Sequence, residues 1–249
     1  KDLIDQVMVN DKVRFGVVPF ARYVNIGMGL RNDPGFAVPN DYQSCDVNGV
    51  CANHVWNGCV GSRPPPYNTR DDNPGMKVPG ALDVACGANP ITRLTTDKAA
   101  LNQSIDALVA DGMTYIPSGL MIGWHAVTYR PILPDGKNPM SAQGRDLVRA
   151  IVLMTDGQNT ASATPGANDH ESADVVLANA TTAALCANVK DDGIKVYTVA
   201  FQVVDPTIKA ILDDCASPPA DSYDAANSAQ LAAAFKSIGD SLTRIHLSK

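Results

Sequence analysis

Ala150-Ile151-Val152-Leu153-Met154 runs straight into Thr155-Asp156-Gly157-Gln158-Asn159. A continuous apolar run closing on a polar turn lacks the alternation of a half-solvated strand; it is the pattern of a parallel strand buried on both faces. Such strands need helices on both sides of their sheet, and the neighbouring sequence supplies them. Upstream, Pro117 suits the first turn of a helix that turns Leu120, Met121, Trp124 and Val127 inward. Downstream, a helix over 172–190 closes at Asp191-Asp192-Gly193, and Ile194 to Phe201 repeats the buried-strand pattern. A short helix over 206–214, an edge strand at Ser222-Tyr223-Asp224 and a final helix over 228–246 follow. The last helix sets Leu231, Phe235, Ile238, Leu242 and Ile245 along one stripe. The alternation predicts an α/β fold: a Rossmann-like, mostly parallel central sheet flanked by helices.

Towards the N-terminus, Leu3, Ile4 and Val7 share one helical face, and Asn10-Asp11 breaks that helix. Val13 to Phe20 reads as another buried strand, with Arg22 to Met28 as a short partner limited by Pro19. Thr95-Thr96-Asp97 can cap a helix whose inner face is Leu101, Ile105, Leu108 and Val109 and whose end is Gly112. Between these parts, residues 31–90 hold eight of the 17 prolines and four of the six cysteines, with little periodicity. This stretch reads as an irregular insertion in a single domain spanning 1–249. A loop of that length needs pins, and disulfides are the available ones.

With 20 Lys and Arg against 26 Asp and Glu, the chain carries a net charge of -6, so the basic field that attracts phosphate backbones is missing. Nucleic acid is not an expected partner. No apolar stretch is long enough to span a bilayer, and the start lacks the order of a signal peptide. The chain opens at Lys1 in what reads as the end of a helix, so an original N-terminus is expected to have been removed. Enzyme signatures are absent: no glycine-rich dinucleotide loop, no phosphate loop, no His-Glu-x-x-His and no Gly-x-Ser-x-Gly.

Ligands of open parallel sheets gather beyond the C-terminal strand ends. Asp156 sits at such an end, and Thr114 lies in another loop before a helix. Their oxygens suit a hard cation such as Mg2+. Read alone, Thr-Asp-Gly is more simply a good turn, with Asp bonding backbone and Gly supplying positive φ. His170-Glu171 reads as a solvated loop pair, Trp124 as packing, and Asp71-Asp72-Asn73 as a solvated turn before a calcium site.

Ile151 to Asn159, together with Asp111-Gly112-Met113-Thr114-Tyr115-Ile116 ahead of Gly119-Leu120, resembles the von Willebrand factor type A domain. The resemblance covers the core on both sides of the insertion. It is closer still to the A-type domains of TadG-like proteins of the bacterial tight-adherence (Flp) pilus assembly system, through Cys59 to Arg63, Pro90 to Thr95, Gly119 to Trp124, Leu185-Cys186 and Cys215-Ala216-Ser217. The resemblance implies a metal-ion-dependent adhesion site in which Thr114 is the threonine ligand and Asp156 the acidic ligand, often through water. It further implies a non-enzymatic, extracytoplasmic interaction or adhesion domain that binds pilus assembly or surface proteins, in a parent with an N-terminal membrane anchor.

One departure stands out. The family's first strand ends in Asp-x-Ser-x-Ser, which supplies three metal ligands, and no serine here has an Asp two positions before it. That strand is central in the family's sheet and would lie upstream of Lys1. The chain is therefore expected to leave a groove with unpaired backbone, to rearrange, or to acquire another strand, and to bind Mg2+ weakly or not at all. For the cysteines, the family resemblance favours Cys186 with Cys215 and Cys59 with Cys86, and proximity favours Cys45 with Cys51. Zinc lacks its Cys-x-x-Cys spacing, and free buried thiols are the remaining alternative. Two further functional readings are a scaffold with a degenerate metal site that binds through the cysteine-rich insertion, and a metal-assisted hydrolase using Asp156.

Overall fold

The computed structural model describes residues 1–10, 12–72, 75–110, 112–130, 132–137 and 147–247, the last three by backbone only. Asp11, Asn73, Asp111 and the side chain of Ile245, all read above, lie outside the described residues, as does much of the proline-containing connection that the sequence suggests over 131–143. In chain order the elements begin with α1 (Asp2–Val7), β1 (Phe15–Val17), β2 (Val24–Asn25), β3 (Phe36–Ala37), β4 (Tyr42–Cys45), β5 (Cys51–His54), β6 (Trp56–Val60), β7 (Val78–Leu82) and β8 (Thr92–Thr95). They continue with α2 (Lys98–Asp106), α3 (Ile116–Val127), β9 (Ala150–Thr155), α4 (Val175–Asp191), β10 (Lys195–Phe201), α5 (Pro206–Cys215), β11 (Ser222–Ala225) and α6 (Ser228–Leu247).

The α/β class is as the sequence predicts. β9, β10 and β11 form a parallel sheet in the order β11-β10-β9, with Lys195 to Ala200 in register with Ala150 to Thr155. Helices cover both faces. On one, α3, α4 and α5 pack Ile116, Leu120, Leu185 and Leu212 against Leu153 and Val196. On the other, Leu3 and Val7 of α1, Leu101 of α2 and Ile238 of α6 meet Tyr197 and Val199. Aspartates start three of these helices. Asp97 accepts from Ala100 N, Asp174 from Leu177 N, and Asp205 from Thr207 N and Ile208 N ahead of Pro206. Each satisfies backbone donors that the first helical turn leaves orphaned.

The N-terminal half departs from its reading in three places. β1 does not pair with the segment after it; its partner is β8, antiparallel, where Gly16 lets the Thr92 carbonyl approach to 2.9 Å of where a Cβ would stand. The chain turns out of the sheet after Pro19, and Ala21 N–H bonds back to Tyr23 O. α2 stops at Asp106, in a turn where Ala107 and Leu108 donate to Gln103 and Ile105, so Leu108 and Val109 are exposed rather than inward.

The stretch expected to be irregular carries strands. β2, β6, β7 and β3 form a sheet in that order, and β4 and β5 a separate hairpin. The four-stranded layer has its own core, with Trp56, Val24, Val60 and Val78 packed against Ile122 of α3. Its strands are short and β6 slips register against β7, so no alternation long enough to read survives in the sequence. Disulfides join Cys45 to Cys51, Cys59 to Cys86 and Cys186 to Cys215, which leaves no free cysteine and no thiolate for zinc. No described helix is long and apolar enough to cross a membrane.

Candidate functional site

Asp156 follows the last residue of β9 at the C-terminal edge of the parallel sheet, and Thr114 stands in the loop leading into α3. Backbone hydrogen bonds stitch the two loops together. Thr114 N–H donates to Thr160 Oγ1 at 2.8 Å, and the Thr114 carbonyl accepts from Thr160 and Ala161 at 2.8 and 3.0 Å. Asn159, fully buried, accepts from Ile116 N at 2.8 Å and donates to Asn179 and Thr182. Sequence reading quoted Asn159 without giving it a role; the structure makes it the clamp between the loops. Asp156 is exposed and Thr114 half-buried, while Thr155 Oγ1 donates to the Gly157 carbonyl at 2.9 Å and shapes the turn.

Two side-chain oxygens fall short of the six that Mg2+ takes. Among the described residues, no group of three or more His, Cys, Asp or Glu is placed to hold a metal.

Beside this edge lies a groove of about 1190 Å3 between β1 and β9. Among the described residues, β9 is hydrogen-bonded to β10 alone and β1 to β8 alone, so each has an unpaired edge, and both strands line the groove. The two strands run the same way. Tyr115 N donates to Ala21 O just beyond β1, while Thr114 is bonded to Thr160 just beyond β9, so both C-terminal ends meet one edge. Gly119, Leu120 and Gly123 of α3 line one face of the groove; Leu3, Ile4 and Val7 of α1, with Phe235 and Leu242 of α6, line the other. At the opposite end from Asp156, Lys12 and Arg14 precede β1, Arg149 precedes β9, and Lys137 follows close to the end of α3. Composition gave no hint of this cationic rim in an acidic chain.

Two buried histidines fasten the insertion to the core. His170, expected in solvent, is 1% exposed. Its Nδ1–H donates to Arg22 O at 2.7 Å, its Nε2 accepts from Ser62 Oγ at 2.7 Å, and its ring stacks on Tyr23. Burial, opposed by the Arg22 carbonyl and nearby carboxylates, pushes its pKa down to about 4. His125 on α3 is fully buried and bonded through Nδ1 to Asp71, and burial lowers its pKa as well. Asp71 is likewise no solvated turn residue. Burial alone would raise its carboxyl, but hydrogen bonds from His125, Thr128 and Arg130 outweigh that and hold it low. Arg130 also bridges to Asp192, which accepts from the Trp124 indole at 2.9 Å. Trp124, 3% exposed, packs as expected.

No protein-family model matches the chain, and no curated protein matches it. Solved structures it is similar to include the pilus adhesin SpaC from Lactobacillus rhamnosus GG, at 15% identity and a TM-score of 0.46, over 61% of this chain and 22% of that one. The chain thus spans under a quarter of SpaC. Another is the vWF domain of the type V pili tip protein Mfa5 from Porphyromonas gingivalis, at 14% identity and a TM-score of 0.46, over 61% of this chain and 75% of that one. A third is proximal thread matrix protein 1 from the mussel byssus with a zinc-occupied MIDAS motif, at 18% identity and a TM-score of 0.37, over 64% of this chain and 33% of that one.

Proposed function

We propose that residues 1–249 act as a single von Willebrand factor A-type domain, a non-enzymatic and extracytoplasmic interaction module of a TadG-like pilus assembly or adhesion protein. The observation that carries this reading is the clamped pair of loops that holds Thr114 and Asp156 at one edge of the parallel sheet. In the intact parent, these two oxygens and further ligands from outside this chain hold a divalent cation such as Mg2+, with one coordination position left for a partner's carboxylate. Recognition is then charge-specific and sensitive to chelators. The three disulfides support an oxidising compartment, where such bonds persist. An N-terminal anchor in the parent belongs to the same reading.

The test uses the full-length parent. Capture of its surface partner is measured with and without EDTA, for the wild type and for Asp156→Ala. Loss of capture in both perturbations supports the metal route, and unchanged capture in both overturns it.

A second reading keeps the fold and drops the metal, with partners engaged through the insertion. It is favoured by the β4–β5 hairpin, which the Cys45–Cys51 bridge closes and which carries Val47 and Val50 in full view of solvent. Deleting that hairpin abolishes capture on this reading and leaves it intact on the first.

A further inference from the structure

We propose that Ser44, on the β4–β5 hairpin, is an acyl-attachment site: a nucleophilic hydroxyl that takes the acyl group of an activated ester or thioester and keeps it. The register of the hairpin builds the arrangement. Tyr42 pairs with His54 and Ser44 with Ala52, and side chains alternate along each strand, so these four share one face. Ser44 and His54 are then diagonal neighbours within side-chain reach. Ser44 Oγ stands 2.7 Å from His54 Nε2, and His54 Nδ1 stands 2.6 Å from Asp83 Oδ2. Nucleophile, base and orienting carboxylate come in one line, the geometry by which a serine is activated for acyl transfer. The other face of the hairpin carries the bond from Gln43 to Asn53, and the Cys45–Cys51 bridge closes it one residue beyond Ser44; together they fix the register.

Three features keep that line in working order. Asp83, just after β7, holds a φ of 59°, a left-handed conformation that residues other than glycine seldom adopt and that gathers at functional positions. Its N–H donates to Val55 O at 3.1 Å and its Oδ1 accepts from Val55 N at 3.0 Å, so the carboxylate cannot swing away. The bonds from His54 and from the Val55 amide hold that carboxyl below the usual range. A carboxylate only accepts, so it takes the Nδ1 proton and leaves Nε2 of the neutral ring to accept from the Ser44 hydroxyl. Tyr42 stacks on the imidazole with ring centroids 4.3 Å apart and sets its plane. Ala52, opposite Ser44, offers only a methyl group, and both residues are exposed, so an acyl donor reaches the hydroxyl. In the step, Ser44 Oγ attacks the carbonyl carbon while His54 Nε2 takes the hydroxyl proton. The bond from that carbon to the alcohol or thiol breaks, the leaving group collects the proton from His54, and a serine ester remains. Ser44 and Asp83 are exposed and His54 is half-buried, so the donor must already be activated. The event is a stoichiometric attachment, which accords with an interaction module, and none of it depends on a metal at Asp156.

The experiment treats the 249-residue chain with p-nitrophenyl acetate. Release of nitrophenolate is read by absorbance, and the acetylated position by peptide mass mapping. A single burst that leaves the acetyl group on Ser44 is expected, and Ser44→Ala should remove it. His54→Gln should slow acetylation of Ser44 by on the order of a hundredfold or more, the usual contribution of a positioned base. Asp83→Asn tests the positioning role through imidazole nitrogen chemical shifts: the proton should sit on Nδ1 in the wild type and move towards Nε2 in the variant, with Ser44 acetylation slowed by about tenfold or more. Gln43→Ala loosens the far face of the hairpin without touching the line and should leave the rate unchanged. Acetyl groups on lysines alone, equal Ser44 rates in the wild type and His54→Gln, or a loss in Gln43→Ala as large as that in His54→Gln overturns the proposal. So does nitrophenolate release that continues past one equivalent and stops in Ser44→Ala, which would make the site hydrolytic.

Discussion

β9 and β10 are neighbours in one sheet, written in the same apolar alphabet and locked in register, yet they live in different environments. β10 has a strand on each side and five consecutive buried residues, Val196 to Ala200. Among the described residues, β9 has a strand on one side only, and of its six residues just Leu153 and Thr155 are buried. Helices pack on both faces of each strand, so the difference comes from the missing lateral neighbour. Apolar composition qualifies a segment for the middle of a sheet; a partner on each edge is what buries it.

Four measurements can break or sharpen that contrast. The largest effect is expected at Tyr197, fully buried on β10 with its hydroxyl bonded to Ser241. Tyr197→Ala should lower stability by about 3–5 kcal/mol in urea denaturation, as for other large core aromatics. Next is the bridge that ties α4 to α5 over the β10 side. Replacing Cys186 and Cys215 together by Ala should cost about 3–4 kcal/mol, against about 2 kcal/mol for the shorter loop of Cys45 and Cys51. Equal losses would remove the distinction between a core staple and a surface clip.

The third is a pH effect on the β1 side, where His170 holds Arg22. Its folded pKa of about 4 lies below the ordinary 6.5, so the unfolded chain binds the proton more readily. Its stabilising contribution is complete above about pH 6.5 and is lost as pH falls towards 4, a loss on the order of 3 kcal/mol. Urea denaturation at pH 7 and pH 4.5 should show it, and His170→Asn should flatten the difference. Hydrogen exchange at the lower pH should accelerate around Arg22 and Tyr23 before it does in β10. The smallest effect belongs to Val152, the register partner of Tyr197. Half-buried beside the groove, Val152→Ala should cost about 1 kcal/mol or less. A loss as large as that at Tyr197 would mean that β9 is enclosed after all.

The C-terminal half was legible because its signals are local. Runs such as Ile151 to Met154 and Val196 to Phe201 need no knowledge of distant residues. The insertion hid its strands because β3 is two residues long and the layer is held by Trp56 and long-range contacts with α3. His170 and His125 were misjudged or passed over for the same reason: their partners Ser62 and Asp71 stand 108 and 54 positions away. At the candidate site, Thr114 and Asp156 could be picked out through the quoted motifs, but the Asn159 clamp depends on how two loops meet. The cationic rim was invisible because Lys12, Arg14, Lys137 and Arg149 converge only when the sheet forms.

The Cys186–Cys215 bridge also has a mechanical side. The residues between its ends, 29 positions apart in sequence, include all of β10 and most of α5. A pull applied through the two termini would run through the sulfur atoms and bypass this segment. At roughly 3.3–3.6 Å per extended residue, about 100 Å of contour length stays locked away until the bond is reduced. The most deeply buried strand is thus among the parts of the chain that tension cannot draw out.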